Sequence, residues 1–209
     1  MPLSDYLAEM GGKDGVFPDI AGKFEGKNLI ICADGACVWD DLERLGCRRD
    51  HRRGKVDHDS SDFMTVNKLV EVFPGNIQHA YGNHGGFLKD FVAARRKEYK
   101  NEFAGPMHTH ALIGTAAKHK WPYGGHGTSG LMSVLVGFGL GYETITICGM
   151  PLDNGPHNGE PPWRGSSFHN EVANAKDTDI NHYWKRARKH FEGKLFSMSG
   201  RTRDWLGEP

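Results

Sequence analysis

GTSGLMSVLVGFGLGYETITICGMPLD, residues 127–153, decides how the rest of the chain is read. A glycine-flanked hydroxyl pair, Gly127-Thr128-Ser129-Gly130, opens an apolar run full of small residues. Gly141 stops that run, and Thr144-Ile145-Thr146-Ile147-Cys148 follows as a β-branched segment. The pattern predicts a loop, a buried helix, a tight turn and a buried strand. Thr128 or Ser129 is positioned to cap the helix, and Gly127 and Gly130 let another group approach the backbone. First-turn N–H groups have no partners inside a helix, and the helix dipole adds partial positive charge there. The start of this helix therefore suits a phosphate or carboxylate.

The chain has 209 residues, enough for one large domain. Lys+Arg and Asp+Glu are both 26, so no global basic field points to nucleic acid. The basic runs Arg48-Arg49, Arg52-Arg53 and Arg95-Arg96-Lys97 read as solvated faces. No apolar run is long enough for a membrane span, and the first residues, MPLSDYLAEMGGKDG, lack a secretion signal pattern. The four cysteines (32, 37, 47 and 148) form no CxxC pair, which suggests reduced thiols and a cytoplasmic setting. Homo-oligomers are common in this size class, so self-association is an open expectation.

Outward from residues 127–153, the same alternation recurs. Leu29-Ile30-Ile31-Cys32 reads as a strand covered on both faces, followed by the turn Ala33-Asp34-Gly35-Ala36-Cys37. Val38, Leu42 and Leu45 then repeat at helical spacing up to Gly46. Residues 47–61 read as a polar loop, Phe63–Val66 as a strand ending at Asn67, and Ile77–Tyr81 as a third strand. An exposed helix is expected over 86–99, a strand over His108–Ile113, a helix from about Asp177 and a last strand at Leu195–Met198. Residues 1–27 read as an irregular leader and 199–209 as a tail. The 28–198 segment reads as a single α/β, Rossmann-like domain: a mostly parallel central sheet with helices on both faces, and a lid-like loop at 150–176.

Several of these pieces together resemble the bacterial sialyltransferases that use CMP-sialic acid. That family has a Thr-Ser-Gly turn before a helix ending in Leu-Gly-Tyr-Lys-Glu, then a strand ending in Ser-Gly. Here Thr128-Ser129-Gly130, Leu140-Gly141-Tyr142-Glu143 and Gly149 stand in that order. Ala33-Asp34-Gly35-Ala36-Cys37 takes the place of its first-strand turn, Val66-Asn67 of the asparagine ending its second strand, and Lys176-Asp177-Thr178-Asp179-Ile180 of its Lys-Asn-Thr-Asp-Ile. The architecture is also similar to archaeal 6-hydroxymethylpterin pyrophosphokinases. The ending Ser197–Gly207 resembles phage and prophage members of the superfamily, which would make a virus-encoded protein in a host cytoplasm.

The resemblance implies that Asp34, Gly35 and Asn67 face a nucleotide, and that Gly127, Thr128, Ser129 and Gly130 hold the ribose or phosphate of a CMP-like donor. The family's catalytic histidine falls on Asn174, so the nearest candidate base is His169. The family's tyrosine pair is replaced by a loop carrying His157, Trp163 and Arg164. Glycosyl transfer needs a base for the acceptor's proton and a group to stabilise the departing phosphate. His169, with Asp153 or His157 as second choices, is the expected base, and Arg164 with the helix start the expected phosphate group. No cofactor is required in that reading. Two alternatives stay open: a pyrophosphokinase-like enzyme with Mg2+ held by Asp34 and Asp153, and a non-catalytic nucleotide binder. His108-x-His110 also permits a metal reading, completed by Asp34, Asp153 or His157. The first turn is not GxGxxG, which argues against a dinucleotide dehydrogenase.

Overall fold

The computed structural model describes residues 2–12, 15–50, 55–83, 85–99, 103, 105–110, 118–123, 128–153 and 179–209. In the first half of the chain lie α1 (Leu3–Gly11), β1 (Asn28–Cys32), α2 (Val38–Arg44), β2 (Arg48–Asp50), β3 (Lys55–Asp57), β4 (Ser61–Val66), α3 (Leu69–Val72), β5 (His79–Tyr81) and α4 (Gly85–Tyr99). The second half adds β6 (Met107–Thr109), β7 (His119–Lys120), α5 (Ser129–Leu140), β8 (Thr144–Cys148), α6 (Asp179–Arg188), β9 (Leu195–Ser197) and α7 (Gly200–Leu206).

Seven strands form one sheet in the order β7-β6-β5-β4-β1-β8-β9. Every pairing in it is parallel, so the sheet is more uniform than the expected mostly parallel one. β1 lies at the centre because its residues are apolar on both faces. Leu29 and Ile31 enter one core, while Ile30 and Cys32 enter the other. Full burial of each such aliphatic side chain stabilises the fold by about 1.5–3 kcal/mol. The first core is covered by α5 and α6, with Tyr6 of α1; the second is covered by α2 and α3. Val70, Ala80 and Leu88 extend the covering to α4. The result is an α/β sandwich of Rossmann-like type with helices on both faces.

α5 is the central helix, with ten of its twelve residues buried, which explains why its sequence carries no polar stripe. Gly137 lets the helix press onto the sheet: a Cβ there would strike Ile145 and Leu29. Gly141 ends the helix in the left-handed region at φ 101°, returning its N–H to Gly137 and Phe138.

Three sequence expectations require correction, and one strand is found where it was expected. Residues 1–27 are not irregular throughout, since α1 buries Tyr6 against Phe191 and stacks it on His190. The 47–61 segment contains an antiparallel ribbon, β2 with β3, which its charged composition hid. The strand expected over His108–Ile113 is β6, described over Met107–Thr109, and β7 beyond it had too little apolar sequence to announce itself. Residues 199–209 are not a loose tail: α7 docks through Thr202, which is fully buried.

Candidate functional site

β1 pairs with β4 on one side and β8 on the other, so the chain reverses direction across the sheet between β1 and β8. The crevice beyond the carboxyl ends of two such strands is where ligands sit in open α/β sheets. The register sets what reaches that edge. Cys32 is opposite both Thr65 and Cys148, so the turns that carry Asp34, Asn67 and Met150 all leave the sheet at this edge. Asn67 has φ 52° and Leu152 has φ 51°. Both of these left-handed non-glycine residues lie on this edge, after β4 and β8, where such backbone is rare and costs energy.

The β1 and β8 turns interlock through their backbones. Ala33 N donates to Cys148 O at 2.8 Å, and Gly35 N donates to Gly149 O at 2.9 Å. Only glycines permit this: a Cβ on Gly35 would meet Gly149 O, and Gly149, at φ 73°, has Ala33 O and Val38 against it.

α5 approaches from above. Of the two candidate caps, Thr128 takes the role: its backbone is extended and its Oγ1 accepts from Leu131 N at 3.3 Å. Ser129 is already the first helical residue. Among the described residues nothing accepts from Ser129 N or Gly130 N. Thr128 and Ser129 are half-exposed, whereas Gly130 is buried because the Met150 side chain lies across its Cα. The corner is thus walled on the β8 side by Met150. Two adjoining contacts, Gly35 with Gly149 and Met150 with Gly130, tie the helix start to the β1 turn.

Asp34 and Gly35 are half-exposed in the β1 turn, Asn67 is half-exposed after β4, and Asp153 is exposed beyond β8. The structure therefore sets Asp34, Gly35, Asn67, Thr128, Ser129 and Gly130 along one edge of the fold. Gly127, His157, Arg164, His169 and Asn174 lie outside the described residues, as does most of the 150–176 loop.

Three residues that the sequence reading passed over hold this edge together. Asp41 is 1% exposed, and its Oδ2 accepts from Gly149 N at 2.8 Å and from Ser199 Oγ at 2.7 Å. Thr202 Oγ1 donates to Met150 O at 2.7 Å. A signal for Asp41 existed: with Val38, Leu42 and Leu45 it sits on the apolar stripe of α2, where an acid is out of place unless bonded. Ser199 and Thr202 gave none, because their partners are distant in sequence.

The His108-x-His110 metal reading is not supported by how these rings bond. Trp121 Nε1–H donates to His108 Nδ1 at 3.1 Å, so His108 carries its proton on Nε2 and donates it to His79 Nδ1 at 3.0 Å. His79 must then donate from Nε2 to Tyr142 Oη at 2.8 Å, and Tyr142 donates to Asp62 Oδ2, also at 2.8 Å. The chain Trp121–His108–His79–Tyr142–Asp62 fixes both tautomers and uses both nitrogens of each ring. Burial lowers His79 from 6.5 to about 4 and pushes His108 down too, so both rings are neutral. His110 instead bonds Tyr81 Oη through Nδ1 at 2.7 Å. Among the described residues no three of His, Cys, Asp and Glu gather in a metal-holding group. The Asp34–Asp153 pair proposed for Mg2+ therefore has no third such ligand there.

The four cysteines are free; three are buried and Cys37 is half-buried, with burial raising its thiol to about 11. No described helix is long and apolar enough to cross a membrane.

No protein-family model matches the chain, and no curated protein matches it by sequence. Solved structures do. The monofunctional alpha-2,3-sialyltransferase Cst-I of Campylobacter jejuni is 15% identical, with 94% of this chain and 83% of that one covered at a TM-score of 0.53. The sialyltransferase CstII of the same organism, in complex with cytidine-5'-monophosphate, is 12% identical, with 88% and 85% covered at a TM-score of 0.53. A CstII variant in complex with CMP is likewise 12% identical, with 87% and 86% covered at 0.52. Nearly the whole chain thus has the fold of these sialyltransferases.

Proposed function

We propose that the edge between β1 and β8 binds the nucleotide of an activated sugar, CMP-like in type, and that the protein is a glycosyltransferase-like enzyme. One observation carries this reading. The Thr128-capped start of α5, where no described residue accepts from Ser129 N or Gly130 N, stands at the reversal point of the sheet and is tied to the β1 turn through Met150 and Gly149. Partial positive charge and unpaired N–H donors at a helix start suit a phosphate. The Campylobacter proteins whose fold the chain shares are sialyltransferases, and one holds cytidine-5'-monophosphate. Asn67 and Asp34 follow the ends of neighbouring strands on the same edge, and the proposal puts the ribose or base against them.

In this proposal His169 takes the acceptor's proton, with Asp153 or His157 as the alternatives. Arg164 and the first turn of α5 stabilise the phosphate as the glycosyl–oxygen bond breaks. An oxyanion held by pre-placed donors costs no reorganisation at that moment, which is why the helix start is assigned this part. A carboxylate would repel a phosphate, so the proposal places Asp34 on the ribose hydroxyls.

Ser129→Asp tests the reading. A carboxylate at the first helical position is stabilised by the dipole, so the melting temperature should hold or rise slightly. A phosphate about 5 Å away would be repelled by about 3 kcal/mol at an effective dielectric of about 20. CMP should then bind about 100-fold more weakly by calorimetry. Unchanged CMP affinity in the folded variant rejects the site. Parallel incubation with CMP-, UDP- and GDP-sugars, following binding and slow donor hydrolysis, separates an enzyme from a binder.

A further inference from the structure

The Gly149–Leu152 loop matters to the corner from both sides: Gly149 O receives Gly35 N, and Met150 covers Gly130. Strand β8 ends at Cys148, and Leu152 holds a left-handed backbone at φ 51°, so local preference does not keep the loop in place. What holds it comes from the last residues of the chain and from α2. Thr202 Oγ1 lies 2.7 Å from Met150 O and 2.7 Å from Ser197 Oγ. A threonine hydroxyl has one proton. Of its two acceptors, Met150 O at 2.7 Å and Ser199 O at 3.0 Å, Thr202 gives it to the nearer, Met150 O, and Ser197 supplies the bond that Thr202 accepts. Arg201 N donates to Pro151 O at 2.9 Å, and a Cβ on Gly200 would strike Pro151. On the other side Asp41 Oδ2 joins Gly149 N to Ser199 Oγ, while Arg44 donates to Met198 O at 2.7 Å.

We propose that Thr202 and Asp41 are positioning residues for the nucleotide corner, acting as a brace through which the C-terminal segment sets the Gly149–Leu152 loop against the start of α5. This inference rests on the nucleotide reading only for its consequence in binding; the brace itself is a property of the fold. Ser197, Ser199 and Thr202 come from one short stretch at the end of β9 and the start of α7, and Asp41 from α2 more than 150 residues away, yet all converge on the segment that walls the corner. Neither Thr202 nor Asp41 lies where a ligand would touch it, since both are at most 1% exposed.

Thr202→Val keeps shape and removes the hydroxyl; Thr202→Ser keeps the hydroxyl. Hydrogen–deuterium exchange on the full chain reads the loop, and a CMP titration reads the corner. In T202V the amides of Met150, Leu152 and Asp153 and of Ser129–Leu131 should exchange about tenfold faster, with the strand amides of β1 and β4 unchanged. CMP affinity should fall about tenfold, and T202S should restore both. If T202V does not fold, Ser197→Ala, which removes only the donor to Thr202, gives the same changes in smaller measure. Exchange that is unchanged in the loop, or raised evenly over the whole chain, overturns the brace. Loop-confined exchange with no CMP binding by the unaltered protein upholds the brace and sinks the nucleotide reading.

Discussion

Acid should destabilise this protein through His79 before its carboxylates titrate. His79 is fully buried, and its two nitrogens are committed to His108 and Tyr142, so added protons have no place. Its pKa falls from 6.5 to about 4, chiefly by desolvation, with the nearby Asp62 pulling the other way. Between those two values the unfolded chain binds a proton that the folded chain refuses. Stability is therefore unaffected above about pH 6.5 and declines as pH drops towards 4. At about 1.4 kcal/mol per pH unit, the descent from 6.5 to 5 removes about 2 kcal/mol. His108, also pushed down by burial, moves in the same direction, as does His119. For a domain of this size 2 kcal/mol corresponds to a fall of about 4–8 °C in melting temperature. Calorimetric scans between pH 8 and pH 5 measure it directly. His79→Gln should melt lower at pH 8, because His108 and Tyr142 lose their designed partner, yet show a shallower decline towards pH 5. A melting temperature constant to about 1 °C over that range, or equal slopes in the two proteins, refutes the reasoning.

Two further outcomes follow from close contacts. Gly130→Ala places a methyl against the far end of the Met150 side chain, which can swing away, and alanine favours the helix; the melting temperature should change by less than about 1 kcal/mol equivalent, while displaced Met150 weakens CMP binding in a titration. Arg95 is 7% exposed and donates to Val70 O, Phe73 O and Gly75 O, closing the end of α3; Arg95→Met should cost about 3 kcal/mol in denaturant unfolding and leave CMP affinity unchanged, because α3 packs on α4 away from the β1–β8 edge.

The sequence by itself determined the centre of the molecule. Residues 28–32, 127–149 and 195–198 carry apolar runs long enough, and punctuated by glycines sharply enough, that strand, turn and helix followed from local chemistry. Gly141 ending α5 and a hydroxyl of the Thr128-Ser129 pair capping it required only propensity and hydrogen-bond geometry between neighbours; the structure gave the part to Thr128. The same stretch led to the proposed anion corner for the same reason. Short or charged elements escaped: β7 has two residues, and β2 and β3 pair through a ribbon with little apolar content. Burial, which marks a strand to the eye, is weak there.

Only the tertiary structure decided what surrounds the corner. Asp34, Asn67 and Met150 come to one edge because parallel register aligns strand ends that are dozens of residues apart. His108 looked like a ligand when read beside His110, but hydrogen bonds from Trp121 and to His79 turn it into part of the core. Asp41, the Gly149–Met150 backbone and the Ser197–Thr202 stretch form one polar junction from three separate segments. A hydrogen bond rewards proximity in space, whereas a sequence pattern records proximity along the chain, so such a junction leaves almost no trace until the sheet brings its ends together.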